Sequence, residues 1–174
     1  WGIFLMPLIS VLLWLMFFAI PKIDPLKENI ARFRKYYDGF IITISLFLLY
    51  IYVLTIVWNM GVSFNIGVVI TPAISVVFYC VGVLMEHSKR NWFVGIRTPW
   101  TLSSDSVWDK THKLGAKLFK VSGIISLAGI FIPRYAIFVV IIPSVFVSIY
   151  TIFYSYIEYK KEQNYEKTLQ EREK

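Results

Sequence analysis

The sequence predicts an all-α protein: a polytopic bundle of transmembrane helices with one further, interfacial helix on the cytoplasmic side. Two observations support this fold class. Hydrophobic residues make up 57% of the 174 residues and charged residues only 17%, against roughly 45–50% and about 25% in soluble domains. The apolar residues also gather into blocks of about 15–23 residues with nearly all the charge between them, which is typical of bilayer-spanning segments.

Five apolar blocks are predicted to span the membrane. They are Ile3–Ile20, Phe40–Trp58, Ile66–Met85, Leu118–Ile132 and Tyr135–Ile157. Pro72 and Pro143 predict kinks in the third and fifth. The chain begins without methionine at the edge of an apolar block, so we expect a preceding span and six spans in the full-length protein.

The fourth block is the shortest, with fifteen residues, and it contains Lys120. At 1.5 Å rise per residue it falls short of a hydrocarbon core of about 30 Å. We therefore expect its helix to extend backwards, or the bilayer to thin around it. Lys120 is expected to reach the nearer interface along its aliphatic stem.

The basic residues are distributed unevenly among the connections. Sixteen of the 18 lysines and arginines lie between the first and second blocks, between the third and fourth, or after the fifth. The connection 59–65 has none and the turn between the fourth and fifth blocks has only Arg134. The positive-inside rule therefore predicts a multi-pass cell-membrane protein with the two long loops and the C-terminus cytoplasmic and the Trp1 end external. The net charge of +7 then indicates contact with the anionic lipid bilayer, not direct nucleic-acid binding.

This arrangement predicts three regions. Residues 1–59 form an N-terminal membrane module with two spans and a basic cytoplasmic loop, with its opening span expected to be missing from this chain. Residues 60–157 form a membrane domain with three spans and a long loop at 86–117. Residues 158–174 form a charged cytoplasmic tail that continues the fifth helix into solvent.

The loop 86–117 is the most specific part of the sequence. Residues 91–101 read NWFVGIRTPWT, a mixture of aromatic, turn-forming and charged residues that suits neither a spanning helix nor a polar linker. We expect this segment to lie among the lipid headgroups or to fold back against the helix bundle. Gly95 permits a close turn, and Pro99 disfavours helix at Thr98.

A helix is predicted to follow this segment. Ser103 or Ser104 is a suitable N-cap and Asp105 falls in the first turn, where the helix dipole favours negative charge. Asp109 is spaced to pair with Lys113. One continuous face carries Val107, Trp108, Thr111, Leu114, Gly115 and Leu118. The pattern predicts a basic interfacial helix that leads into the fourth span.

The segment from Asn91 to His112 resembles the signature of the SdpI-like membrane family. That signature typically contains an asparagine, a G-[IL]-R-T-P-W-T-L core, an acidic residue, a V-W pair and a threonine-histidine pair. The matching residues are Asn91, Gly95, Ile96, Arg97, Thr98, Pro99, Trp100, Thr101, Leu102, Asp105, Val107, Trp108, Thr111 and His112. The resemblance covers residues 60–157 well, and the stretch before them resembles the family's N-terminal module.

The resemblance implies two roles. One is protection of the cell against a secreted, membrane-active toxin peptide, as for the family's namesake and the sporulation-delaying toxin. The other, also described for the namesake, is sequestration of a small cytoplasmic repressor at the membrane. The resemblance implies that this loop is a functional or docking element. Its candidate residues are Asn91, Gly95, Arg97, Thr98, Pro99, Trp100, Thr101, Trp108, Thr111 and His112.

Each prominent residue of this loop has two interpretations. Arg97 either binds a partner or a lipid phosphate in a two-pronged contact, or ties the loop to a helix end or a carbonyl cluster. Trp92, Trp100 and Trp108 form either a recognition surface or a set of interfacial anchors. His112 is expected to form a hydrogen bond across the loop.

Three classes of function are compatible with the sequence, and an immunity or signal-response protein is favoured. A transporter or channel is the alternative; Pro72 and Pro143 hint at broken helices, but Lys120 is the only charged residue in the predicted spans. A membrane enzyme is the least favoured of the three classes. Asp105, Asp109 and His112 share the loop, but their spacing is not that of a known catalytic cluster. The histidines are too isolated from cysteine or acidic partners for a metal site. We therefore predict no enzymatic activity, no cofactor and no metal.

Overall fold

The structure is a computed structural model that describes residues 2–173, and over that range it contains helices and no strand. The start of the chain at Trp1, which is predicted to be external, lies outside the described residues. The α-helices are α1 (Gly2–Ile23), α2 (Lys27–Arg32), α3 (Arg34–Asn59), α4 (Ile66–His87), α5 (Pro99–Ser103), α6 (Asp105–Ser126) and α7 (Ala136–Arg172). Two short 3-10 helices, Leu127–Ile130 and Pro133–Tyr135, connect α6 to α7. The predicted all-α class is confirmed.

Four helices, α1, α3, α4 and α7, are long and apolar enough to cross a membrane. They contain the first, second, third and fifth predicted spans. Large apolar side chains along them, such as Leu8, Leu46 and Ile142, are exposed. An apolar surface of this extent fits a lipid environment, because soluble monomers rarely expose apolar patches of more than a few hundred Å². The fold is that of a multi-pass membrane protein.

The predicted fourth span and the predicted interfacial helix belong to one element, α6. The helix extends backwards from Leu118 to Asp105, as the short span required, and it ends at Ser126 with a 3-10 turn at Leu127–Ile130. Helix α6 is not among the four apolar candidates. The reason is that its buried face carries small and polar residues and its exposed face carries lysines. The buried small and polar residues are Thr111, His112, Gly115, Ala116, Ser122, Gly123 and Ser126.

Helices α4 and α6 are antiparallel and their backbones approach closely. A β-carbon added to Gly82 would lie 2.7 Å from the Ala116 carbonyl oxygen, and one added to Gly123 would lie 2.8 Å from that of Ser75. Small residues allow such close approach and are characteristic of helix contacts in membranes. Further along, a β-carbon on Gly129 would lie 3.2 Å from the Thr71 side chain. The chain from 116 to 129 therefore runs beside most of α4.

The two prolines at which kinks are predicted lie within uninterrupted helices, Pro72 in α4 and Pro143 in α7. Helix α7 continues to Arg172, which confirms that the charged tail extends the fifth predicted span. Two contacts hold the base of this extension to α6. The Ser104 hydroxyl donates to Glu162 Oε1 at 2.9 Å, and Lys110 pairs with Glu158 at 3.1 Å.

The connection between α1 and α3 is packed against the rest of the protein. Ile30, Phe33 and Tyr37 are almost completely buried and form an apolar cluster with Ile20, Ile41 and Leu84. Val94, from the signature segment, packs against this cluster. Helices α1 to α3 thus meet α4 and the signature segment at the side predicted to be cytoplasmic.

Candidate functional site

The first part of the signature segment is folded around Asn91, which is completely buried. Its amide nitrogen donates to the carbonyl oxygens of Lys89 at 2.8 Å and Val94 at 3.0 Å. Its amide oxygen accepts from the backbone N–H groups of Phe93 at 3.0 Å and Val94 at 2.6 Å. These four bonds use both donors and both lone pairs of the side chain. Asn91 therefore determines the shape of the loop and has no hydrogen-bonding capacity left for a ligand.

Gly95 brings the segment against α6. Its φ is +113°, and an added β-carbon would lie 2.3 Å from Nε2 of His112. That nitrogen accepts from the Ile96 backbone N–H at 2.9 Å, and Nδ1 of the same ring lies 2.9 Å from the Trp108 carbonyl oxygen. Because a backbone N–H can only donate, Nε2 carries no proton and Nδ1 donates to the carbonyl. The expected hydrogen bond of His112 across the loop is confirmed.

His112 is held in its neutral form. Burial of the ring lowers its pKa to about 4, against the opposing effects of the Trp108 carbonyl and Asp109. Both ring nitrogens are engaged in hydrogen bonds, and the ring stacks on Trp108 at 3.9 Å between centroids. His112 is therefore a neutral link between the loop and α6, without an available lone pair for a metal or a substrate proton.

The structure contradicts both interpretations of Trp108, as a recognition residue and as an interfacial anchor. It is 0% exposed, and its indole N–H donates to the Ser88 carbonyl oxygen at 3.2 Å. It is therefore part of the protein core, not an interfacial anchor or a recognition residue. The continuous face predicted for α6 was assigned to the membrane interface, but Val107, Thr111 and Gly115 on it are also buried inside the protein. Other parts of the protein cover this face. Helical periodicity in the sequence indicates that a face is covered, but it does not show whether protein or lipid covers it.

Thr98, Pro99 and Thr101 build the short helix α5 and attach it to α7. The Thr98 backbone N–H donates to the Thr101 hydroxyl at 2.9 Å, and the Thr101 N–H donates to the Thr98 hydroxyl at 3.2 Å. This is a reciprocal capping box, with Pro99 in the first turn, where its missing N–H has no consequence. The Thr98 hydroxyl also lies 3.1 Å from that of Ser155 in α7.

Three side chains of this segment remain at least partly accessible. Arg97 is exposed, and its Nη1 donates to the Trp92 carbonyl oxygen at 2.8 Å. Among residues 2–173, no carboxylate lies within ion-pair distance of Arg97. Trp92 is 51% exposed, whereas Trp100 is half-buried against Tyr156, with ring centroids 5.1 Å apart. Arg97 thus ties the loop through one donor and keeps the rest of its guanidinium available.

The charged residues around the loop pair differently from the expectation. Asp109 contacts Lys89 at 3.2 Å instead of Lys113, and Arg90 pairs with Asp105 at 2.8 Å. The spacing along the helix permits the pair with Lys113, but the loop brings Lys89 to the same carboxylate. Thr111, the remaining signature residue, is completely buried, and its hydroxyl has no hydrogen-bond partner within the described chain.

Two residues outside the signature hold its outer surface, and sequence reasoning missed both. Asp24 is only 2% exposed, and its carboxylate accepts from the backbone N–H groups of Trp92 at 2.9 Å and Leu26 at 2.6 Å. Asn29 donates to the Arg90 carbonyl oxygen at 2.8 Å. An aspartate before a proline does indicate a local turn. Its partner 68 residues away gives no signal in the sequence.

A cavity of about 500 Å³ lies beside the signature segment. Residues 93–98 form one wall, and α1, α3, α4, α6 and α7 contribute the others. Most of the lining is apolar, including Phe17, Phe40 and Leu84, and Arg97 and Thr98 also line it. The segment therefore combines an internal scaffold, which uses most of the signature residues, with one surface that faces a cavity.

Comparison with known proteins identifies the family to which this segment is similar. Residues 88–155 match the model of the SdpI/YfhL protein family. This segment is an SdpI/YfhL family domain. Its limits coincide with two of the contacts above, since the Ser88 carbonyl accepts from Trp108 and Ser155 meets Thr98. The family resemblance of the signature is confirmed.

The SdpI/YfhL domain accounts for part of a longer similarity. The chain is 28% identical over 161 residues to the protein named Immunity protein SdpI from Bacillus subtilis (strain 168). That alignment covers 91% of this chain and 75% of the relative, so it includes α1 to α3 as well as the domain. No solved structure matches the chain.

Proposed function

We propose that this chain is an integral membrane immunity protein, which protects the cell that carries it against a secreted, membrane-active toxin. The similarity to Immunity protein SdpI over 91% of the chain is the observation that carries the proposal. The similarity is not restricted to the domain at 88–155 but extends through the N-terminal helices. Asp24 accepts a hydrogen bond from the Trp92 N–H and Asn29 donates one to the Arg90 carbonyl, so the N-terminal part of the chain is bonded directly to the signature segment.

The signature segment is, in this proposal, a cytoplasmic docking or control element. The residues it offers to a partner are Trp92, Phe93 and Arg97, which are exposed, while Asn91, Thr101 and His112 hold them in place from the interior. A small cytoplasmic repressor is the partner that the family resemblance implies. An aromatic and arginine surface suits such a role, because these residue types are enriched among interface hot spots.

The proposed topology has five crossings in this chain, with the long loops and the C-terminus in the cytoplasm. The second half of α6 and its 3-10 turn make the fourth crossing. The support is that residues 116 to 129 run beside α4 from Gly82 to Thr71, and α4 is itself a candidate span. The first half of α6 then lies at the cytoplasmic interface with its lysines outward. The regions 1–59, 60–157 and 158–174 are its structural divisions.

A survival assay tests the proposed function. Cells that express the full-length protein are challenged with the sporulation-delaying toxin, and survival is normalised to the amount of protein in the membrane. We expect Arg97→Lys to reduce protection, because lysine keeps the charge but cannot make the planar, two-pronged contact of arginine. We expect Trp100→Ala to reduce it as well, since Trp100 holds α5 against Tyr156. Lys113→Ala is the matched control, an exposed change in α6 outside the signature.

Two results would contradict this proposal. If cells with the normal protein die at the same toxin dose as cells without it, the immunity function is wrong. If both variants protect fully at normal protein levels, the signature segment has no part in the response. Recovery of a cytoplasmic repressor in the membrane fraction, measured with and without toxin, tests the docking role separately from survival.

Two features of the helices argue against the transporter alternative. Transporters commonly bind their substrates where helices are broken near the middle of the membrane. Here α4 and α7 continue through Pro72 and Pro143. Lys120, the charged residue in the predicted fourth span, forms an ion pair with Glu86 near the end of α4. It thus reaches towards the predicted cytoplasmic side, away from the middle of the bilayer.

A further inference from the structure

We propose that the cavity beside the signature segment is a binding site for one anionic phospholipid of the cytoplasmic leaflet. An acyl chain occupies the apolar part of the cavity, and the phosphate group contacts Arg97. This site goes beyond the proposed immunity function and does not depend on it. The argument uses the walls of the cavity, the side on which it opens, its charge and its size.

The walls of the cavity suit a hydrocarbon chain. Aromatic and aliphatic side chains from five helices line it, among them Phe17 of α1, Phe40 of α3, Leu84 of α4 and Phe119 of α6. The nearby hydroxyl of Thr151 is already donated to the Val147 carbonyl within α7. A chain of CH₂ groups would therefore displace no hydrogen bond there, and it would meet apolar surroundings like those that it has in the bilayer.

The cavity opens towards the surroundings of the bundle between α1 and α7. Helix α1 packs against α2 and α3, and within residues 2–173 none of its Cα atoms lies within 8 Å of one in α4, α6 or α7. Met16 of α1 and Ile152 of α7 line the cavity and are also 46% and 45% exposed. Both helices are candidate spans, so this opening faces lipid and a chain can enter from the bilayer.

Charge selects the headgroup. Arg97 lines the cavity, and no acidic residue does so in the described part of the chain. Only Nη1 of its guanidinium is used, in the bond to the Trp92 carbonyl. A guanidinium makes strong charge-assisted hydrogen bonds to phosphate oxygens. The predicted orientation places Arg97 at the cytoplasmic leaflet, where anionic lipids are concentrated.

The size of the cavity distinguishes a lipid chain from a membrane-active peptide. Its volume of about 500 Å³ falls in the range of roughly 300–1,000 Å³ of sites that enclose small ligands. A spanning peptide helix, about 10 Å across and about 30 Å long, needs on the order of 2,000 Å³. The cavity as formed therefore admits a single chain but not a helical toxin.

Native mass spectrometry of the full-length protein in detergent tests the site. The probes are phosphatidylglycerol and phosphatidylcholine with identical acyl chains, titrated separately. We expect one phosphatidylglycerol to be retained at least about tenfold more tightly than phosphatidylcholine. Both headgroups carry the phosphate, but the choline cation of phosphatidylcholine cancels its net charge and is repelled by Arg97. In Arg97→Gln, which removes the positive charge, this preference should disappear. Lys117→Gln, an exposed change in α6 away from the cavity, should keep it.

A second pair of variants tests the apolar part. Ser148→Phe places a ring at a position that lines the cavity, and Val145→Phe places one on an exposed position of the same helix that does not. We expect Ser148→Phe to lose both lipids and Val145→Phe to lose neither. Equal retention of the two lipids by the normal protein, an unchanged preference in Arg97→Gln, or a peptide retained in place of lipid would each overturn the proposal.

Discussion

Gly95 occupies the position in the signature where no other residue fits. Its φ of +113° is unfavourable for any residue with a β-carbon, and the space that such a carbon would need is taken by His112. The strain alone costs about 1–3 kcal/mol, and the contact adds to it, because the His112 ring cannot move without losing its bond to Ile96.

We predict that Gly95→Ala lowers the free energy of unfolding by about 2 kcal/mol or more. The measurement is thermal unfolding of the purified protein in detergent. Gly39→Ala is the control, since nothing lies within 4 Å of the added carbon in α3 and alanine favours a helix. Equal melting temperatures for the two variants would show that Gly95 carries no such constraint.

His112 gives the protein a predictable response to acid. Burial lowers its pKa in the folded protein from 6.5 to about 4, so the unfolded chain binds the proton first as the pH falls. Stability is therefore unaffected above about pH 6.5 and decreases between pH 6.5 and pH 4, by up to about 1.4 kcal/mol per pH unit. Acid thus favours the unfolded chain, in which His112 is free to bind the proton.

We predict that His112→Gln, which can still accept from the Ile96 N–H, removes most of this dependence. Unfolding by sodium dodecyl sulphate is measured in mixed micelles at pH 7, 6 and 5 for both proteins. The normal protein should lose more stability between pH 6 and pH 5 than the variant, while carboxylates contribute equally to both. Parallel pH profiles would contradict the assignment of the effect to His112.

At the scale of elements, the contact between α4 and α6 dominates the bundle. Gly82 and Gly123 allow the two backbones to approach closely. In a lipid environment apolar burial does not drive helices together, so this close packing is itself a main source of their association. The same contact explains how α6, with several lysines and a small-residue face, can remain beside a span.

We predict that Gly123→Ala destabilises the protein by about 1–3 kcal/mol, the usual effect of overpacking. The added carbon would lie 2.8 Å from the Ser75 carbonyl oxygen, which belongs to the backbone of α4 and can move only with its helix. Thermal unfolding in detergent is again the measurement. A gain in stability, as expected from helix propensity alone, would mean that the two helices are less closely packed than described.

For the whole molecule, the distribution of charge and the packing of α6 together define a topology. The prediction is tested by cysteine labelling of intact cells in a Cys80→Ser background, because Cys80 is the only cysteine. A membrane-impermeant reagent should label Ser63→Cys from outside, and it should label Ser103→Cys and Thr168→Cys only after the cells are opened. Labelling of Ser103→Cys from outside would show that the orientation is the reverse of the predicted one.

Much of the architecture could be predicted because lipid imposes simple requirements on a sequence. A span must be long and apolar, and the charges must lie at its ends, so four of the five predicted spans correspond to apolar helices. The fourth predicted span is harder to recognise from its sequence. It packs closely against α4 through small or polar residues such as Ser122 and Gly123, and these residues lower its hydropathy.

The sequence by itself determined the helical class, the N-cap of α6, and the segment that carries the family signature. These features depend on neighbouring residues, whose spacing along the chain is fixed by covalent geometry. Only the tertiary structure decided that Trp108 and His112 are interior, that Asp109 pairs with Lys89, and that Asp24 holds the signature from the other end of the chain. Those outcomes depend on which distant groups share one small space. A local pattern can require a buried group to find a partner, but only the folded chain supplies it.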